Sequence, residues 1–160
     1  MSICSQQKAD KIDSFSGIFH FLSNFHPSLI MYEGISYPTS EHAYQAAKTL
    51  DVNQRLNISI LATPGESKKY GQTVKIRPAW DDVKVGIMGE IVRAKFFQNP
   101  ELLEKLLATD DILLEEGNTW GDTFWGVCKG KGENYLGKVL MEVRDNLNTN
   151  KETENETSNS

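Results

Sequence analysis

Apolar positions recur at helical spacing through most of this chain, broken by a few short stretches with strand character. Val83, Ile87, Ile91 and Ala94 mark one face of a long helix that Asp81 is placed to cap and that runs to Phe97. Asn99-Pro100 then signals a new helix, with proline at the first helical position and Leu102, Leu103, Leu106 and Leu107 as its buried stripe. Asn134 is placed to cap a final helix whose Leu136, Val139, Leu140, Val143 and Leu147 point inward. Nearer the start, Leu29–Tyr32 and Ile35–Tyr37 flank Glu33-Gly34, the pattern of a short hairpin. Pro38 holds Tyr37 extended, and Thr39 or Ser40 can cap a helix to about Leu50. Asn53–Leu61 and Glu66–Gln72 read as two further helices, and Ile112–Leu114 as a short strand. Phe15–Phe25 is rich in aromatics. The expected fold class is therefore mainly α (α+β), one compact domain with a few short strands.

Length supports that reading, since 160 residues suffice for one real core. The expected domain spans residues 14–147. Residues 1–13 are polar and expected to be a flexible N-terminus. Residues 148–160 contain no large apolar residue, cannot offset their ordering entropy, and are expected to be a disordered polar tail.

A net charge of −5 argues against broad binding to a phosphate backbone, but leaves room for a local basic pocket. Two cysteines, Cys4 and Cys128, make neither a disulfide framework nor a zinc pattern. His20, His26 and His42 lack paired ligand spacing, so no metal and no cofactor is expected. There is no apolar run of membrane-spanning length and no basic-then-apolar leader, so no membrane partner and a cytoplasmic location are expected.

Candidate chemistry concentrates in Trp120-Gly-Asp-Thr-Phe-Trp-Gly-Val-Cys-Lys-Gly-Lys-Gly-Glu-Asn134. Two indoles flank one carboxylate, Asp122, and a glycine-spaced basic loop follows. Indoles offer π-faces to a flat ligand, and glycines let backbone N–H groups approach an anion. Taken singly, these features have plainer readings. Asp122 can be a turn residue, Lys129-Gly-Lys-Gly lacks P-loop spacing, and Cys128 suits a small buried residue. Trp80 can stack on a base or staple a helix start, and Lys68, Lys69, Lys75 and Arg77 can be ordinary surface.

A second concentration lies on the helix after Pro38. At 100° per residue Ala43, Ala46, Ala47 and Leu50 fall on one side, and Glu41, Tyr44, Gln45 and Lys48 on the other. The small side would pack against the body. The polar side is either a solvated face or a column of catalytic groups.

Five blocks of the chain, in order, resemble the NADAR superfamily, also called YbiA-like. They are Phe21-Leu-Ser-Asn-Phe25, then Tyr37-Pro-Thr-Ser-Glu-His-Ala-Tyr-Gln-Ala-Ala-Lys48, then Trp80 with Asp82, Lys84, Met88, Arg93 and Lys95-Phe96. Asn99-Pro-Glu-Leu102 with Leu106-Leu-Ala-Thr109 follows, and Trp120-Gly-Asp-Thr-Phe-Trp-Gly126 runs on to Gly132-Glu-Asn134 and Leu136–Arg144. The resemblance covers Ile18 to Arg144. It implies a helical YbiA-like fold and N-glycosidic chemistry on ribosylated nitrogen compounds, either riboflavin intermediates or ADP-ribosyl groups, including those on guanine bases. It also implies that Glu41, Lys48 and Asp122 are the catalytic centre, with Asn24, Trp80, Trp120 and Trp125 around the substrate; Tyr44, Gly126 and Asn134 are further candidate substrate-binding residues. Ala43 and Ala47 stand where many members carry bulkier residues, and Trp120 belongs to a Gly-Asn-Thr-Trp variant. Both departures favour an ADP-ribosyl substrate over a riboflavin intermediate.

The chemistry to be served is cleavage of a C1′–N bond through an oxocarbenium-like state. Glu41 and Asp122 are the expected carboxylates, one near the anomeric carbon and the other handling water or the leaving nitrogen. Seven residues place Glu41 and Lys48 on one helix face about 10 Å apart along the axis. Lys48 would anchor a phosphate or hydroxyl, or attack an opened ribose as a neutral amine. The tryptophans would stack on the base, and the Lys129–Asn134 loop would approach phosphates. The expected partner is a nucleotide-like small molecule or ADP-ribosylated nucleic acid. The competing functions are a non-catalytic ADP-ribose reader and a helical interaction protein. Oligomeric state leaves no mark in the sequence.

Overall fold

The computed structural model describes residues 10–159. The hairpin after the aromatic segment forms as the spacing predicts. β2 (Ile30–Tyr32) pairs antiparallel with β3 (Ile35–Tyr37), Ile30 facing Tyr37. Glu33 and Gly34 both take positive φ, the backbone that a tight two-residue turn demands. Ahead of it, a short 3-10 helix (Gly17–Leu22) buries Phe21 and Leu22.

Four helices follow in the expected order, each started by identifiable chemistry except the last. α1 (Ser40–Ala47) is capped by Thr39, whose side chain accepts from the His42 backbone N–H. α2 (Val52–Ser59) is capped by Asp51. α3 (Pro64–Gly71) begins with a reciprocal cap. Thr63 accepts from Glu66 N–H, and the Glu66 carboxylate accepts from Ala62 N–H. α4 (Trp80–Gln98) starts at Trp80, one residue before the expected Asp81 cap, after a left-handed Ala79 with no side-chain cap. Asp81 and Asp82 instead lie in its first turn, where carboxylates complement the positive end of the helix dipole.

α4 is the organising rod. It packs against α1, β2, α5 (Pro100–Leu107) and α6 (Tyr135–Ser158), and it buries Ile87, Met88, Ile91, Val92 and Phe96. The inward residues expected on α6 are all buried. Asn99 and Asn134 occupy the two cap positions, but their side chains are used elsewhere. Asn99 donates to Leu29 O and Lys95 O. Asn134 accepts from Glu116 N–H and donates to Leu114 O, tying the start of α6 to the strand region before the site.

Two expectations about the ends change. Lys11–Ile12 is not a loose extension; it forms β1, parallel to β4 (Leu113–Leu114), and Ile12 is buried. The remaining expected flexible residues, 1–9, and Cys4 among them, lie outside the described ones. At the other end α6 continues to Ser158 instead of stopping near Leu147, although residues 148–159 are all exposed. Once the packed part of α6 is formed, each further turn adds hydrogen bonds without a new nucleation cost, so a polar segment can extend it. Leu50 also departs from its expected inward place, at 59% exposure, because α1 ends at Ala47.

Candidate active site

α1 is only two turns long, yet every one of its residues is buried. Its alanine face lies against the core, and its polar face is covered by other elements. Glu41, Tyr44, Gln45 and Lys48 line a cavity of about 620 Å³, within the range of small-molecule sites. The segment from Glu116 to Trp125 contributes Glu116, Gly117, Trp120, Asp122 and Trp125. The 3-10 helix contributes His20, its exit Ser23 and Asn24, α3 contributes Lys68, and α4 contributes Met88. The solvated-face reading of α1 is thus excluded by its burial.

Glu41 is 8% exposed, and its Oε1 accepts from Gln45 Nε2 at 2.7 Å. Burial raises its pKa, opposed by that hydrogen bond and by Lys68 and Lys48. Lys48 is shifted the other way: burial lowers its pKa, with Glu41 partly restoring it. Burial pushes both groups towards neutrality, which suits Lys48 to act as an amine nucleophile, while the Gln45 hydrogen bond, Lys68 and Lys48 favour the Glu41 carboxylate. Tyr44 lies between them in sequence and packs edge-on to Trp125, ring centroids 5.5 Å apart. Its hydroxyl is held protonated chiefly by burial.

Asn24 is a keystone more than a pocket liner. Its backbone oxygen accepts from Glu41 N–H, and its side-chain oxygen accepts from Ser40 Oγ. These bonds fix the 3-10 exit to the start of α1. Below it Lys95, 1% exposed, donates to Phe21 O and Ser23 O at 2.7 and 3.0 Å.

Asp122 lines the cavity, but one carboxylate oxygen is occupied. Oδ1 accepts from Phe124 N–H at 3.0 Å and Trp125 N–H at 2.9 Å, which builds the turn that carries Trp125. Trp120 stands at the mouth with 66% exposure.

Three expected pocket residues are placed elsewhere. Trp80 stacks behind Tyr44 at 5.4 Å and is not part of the cavity lining. Gly126 serves close packing, since a Cβ there would overlap the Glu116 carbonyl and carboxylate. Asn134 ties backbone, as described above. The Lys129–Asn134 loop also turns away from the cavity: Cys128 and Lys131 exchange both backbone hydrogen bonds in a tight return. The one lysine of the loose basic run that reaches the cavity is Lys68.

Glu116 was not anticipated. It sits just before β5 (Gly117–Asn118), which pairs in parallel with β6 (Val127–Cys128). Burial, with Asp122 and Glu41 nearby, pushes its pKa up to about 7. The adjacent acids Glu115 and Glu116 carried a usable signal. Extended backbone alternates its faces, so Glu115 pairs outward with Lys11 while Glu116 turns inward.

Among the described residues no cluster of three or more His, Cys, Asp or Glu is arranged to hold a metal, and no helix is long and apolar enough to cross a membrane. His42 is buried; it donates from Nε2 to Leu61 O and pairs through Nδ1 with Thr39, a structural role.

Residues 6–148 match the NADAR domain. The chain is 41% identical over 128 residues to the N-glycosidase YbiA of Escherichia coli, covering 78% of this chain and 79% of that protein. It is 42% identical over 134 residues to a riboflavin biosynthesis protein of Vibrio vulnificus, covering 79% of this chain but spanning only 35% of that longer protein. An N-glycosidase of Nostoc punctiforme is 40% identical over 131 residues, with 78% and 83% covered. The NMR structure of the Escherichia coli protein YbiA superposes with a TM-score of 0.78 at 38% identity, covering 88% of this chain and 85% of that one. With the domain match spanning nearly all of the chain and the YbiA fold reproduced around a buried α1, the chain belongs to the NADAR domain family.

Proposed function

We propose that the chain is an N-glycosidase that hydrolyses the C1′–N bond of a ribosylated base, with an ADP-ribosyl compound as its substrate. The identity to proteins named N-glycosidase over most of this chain supports the activity. The observation that carries the assignment of roles is the buried face of α1, where Glu41 and Lys48 open about two turns apart into the same cavity. A ribose placed between them has a carboxylate for its developing positive charge. It also has an amine that can hold a hydroxyl or phosphate, or attack the opened sugar. Lys68 adds a second cation for phosphate. Tyr44 and Trp125 form an aromatic wall for the base, and Asp122 holds that wall in place through its turn. Trp120, exposed at the mouth, suits a second flat group such as adenine, which favours an ADP-ribosyl compound.

A second substrate class has its own support. The Vibrio vulnificus relative and a Zea mays relative, 32% identical over 148 residues, are both named for riboflavin biosynthesis. This favours a ribosylamino-pyrimidine phosphate. Incubation with ADP-ribosylated guanine nucleotides, ribosylamino-pyrimidine phosphate and NAD, followed by mass spectrometry of released bases, separates the classes. Release from the first substrate is expected. Release from the pyrimidine alone would transfer the assignment, and binding with no release from any of them would leave an ADP-ribose reader. Glu41→Gln is expected to bind substrate and lose base release; full turnover by that variant would remove Glu41 from the chemistry.

A further inference from the structure

A dissociating base needs a proton, and the carboxylate paired with Glu41 in the sequence has one oxygen bound to backbone N–H groups that favour its charged form. Asp122 Oδ1 already accepts two backbone N–H groups. Glu41 is itself deep, and Gln45 Nε2 fixes one of its oxygens. Glu116 is differently placed. It lines the same cavity, half-buried, and the one side-chain bond it makes is a long one of 3.2 Å from Asn118 Nδ2 to Oε2. Space for its carboxylate exists because residue 126 is glycine. Its backbone is pinned on both sides, by Asn134 at its N–H and by Val127 N–H at its carbonyl. Asn118, which orients it, also donates to Asp122 O and accepts from Asp122 N–H, so Glu116 and the Trp125 turn are aligned by one amide.

We propose that Glu116 is the proton-transferring residue of this site, acting in the cavity it shares with Glu41. The inference rests on the N-glycosidase reading above. The protonated carboxyl of Glu116 gives its proton to the leaving nitrogen as the C1′–N electron pair moves onto that nitrogen. Glu41, across the ribose, stabilises the oxocarbenium. A water entering the vacated place bonds through oxygen to C1′ and returns one proton to the Glu116 carboxylate. The sum is addition of one water across the C1′–N bond, with both glutamates restored. The charged groups facing Glu116 set its titration. Burial, Asp122 and Glu41 favour the protonated form, while the Asn118 hydrogen bond and Lys68 oppose it. His20 and Lys48 line the same cavity. The acid form is therefore available at neutral pH, and activity should fall as pH rises through about 7.

The test combines kinetics with a direct titration. Glu116→Gln should lower kcat roughly 100-fold or more, with its upper pH limb gone, because general acid–base groups contribute on the order of 10²–10⁴. Glu116→Asp should keep a limb, displaced in pH. Carbon-13 NMR of the native side-chain carboxyls, with Glu116 assigned by the Asp variant, should show it titrating near 7 rather than 4.5. A Glu116→Gln variant with native kcat and an unmoved limb overturns the proposal and leaves the glycosidase reading standing. A Glu116 carboxyl that titrates near 4.5 overturns it even if the Gln variant does not fold. A native chain that releases no base from any of the three substrates overturns the glycosidase reading itself.

Discussion

Lys95 offers a quantitative test of how the cavity wall is held. Its ammonium is buried to 1% exposure, donates to the carbonyls Phe21 O and Ser23 O and lies 5.1 Å from the Phe96 ring centroid, beside the cavity-lining Ser23 and Asn24. Burial lowers its pKa from 10.5 to about 7. Between those values the unfolded chain holds one more proton than the folded one, so stability contributed at this site rises with pH. Each pH unit well inside that window is worth about 1.4 kcal/mol. Integrated from pH 6 to pH 9, the native protein should gain roughly 2–3 kcal/mol relative to Lys95→Met, which carries no titrating group. The variant also takes the donor from the buried Phe21 O, at about 1–3 kcal/mol, while Ser23 O keeps the His26 N–H, so it should be the less stable protein at pH 9. Urea unfolding followed by tryptophan fluorescence at pH 6, 7, 8 and 9 measures the gap directly. A gap that stays flat across this range would refute the reasoning, and would mean that the two carbonyls keep the lysine charged throughout.

The other predictions concern the site. Gly126→Ala forces a methyl group onto the Glu116 carbonyl and should cost roughly 1–3 kcal/mol; an unchanged melting temperature would contradict the packing role given to this glycine. Trp120→Ala should change stability by less than about 0.5 kcal/mol, since the indole is exposed. If the indole stacks on adenine, KM for an ADP-ribosyl substrate should rise roughly fivefold to 100-fold, and an unaltered KM would remove Trp120 from recognition. Borohydride added during turnover should trap a sugar adduct on the native chain but none on Lys48→Arg; an adduct that persists in the variant would dismiss Lys48 as the amine.

Legibility in the sequence followed the range of the interactions. The hairpin at Glu33-Gly34, the Thr39 cap and the inward face of α6 depend on near neighbours, and each is present. The polar face of α1 was likewise visible as a column of Glu41, Tyr44, Gln45 and Lys48, and all four reach one cavity. The errors came from partners distant in the chain. Asn134 and Asn99 look like side-chain caps, but backbone groups brought in by tertiary folding take their side chains. Lys129–Asn134 has a phosphate-loop composition, yet its glycines serve a tight return and the close approach of Gly132 to Gly126 O. For Glu116 the sequence signal is two adjacent acids on alternating faces, and which of them turns inward is fixed only when β5 is in place.

The two-residue pairing of β1 with β4 has a bearing on how the enzyme assembles and breathes. It joins segments about 100 residues apart, a closure that costs an ideal chain about 4 kcal/mol in entropy, with very few ladder bonds to offset it. Such a pairing should be late to form and early to open. Glu115 N–H, bonded to Ile12 O, is therefore a natural reporter, next in the chain to Glu116. Its amide exchange should be faster than that of the α4 core, and a ligand that slows it would do so by closing the far wall of the cavity from the chain's first strand.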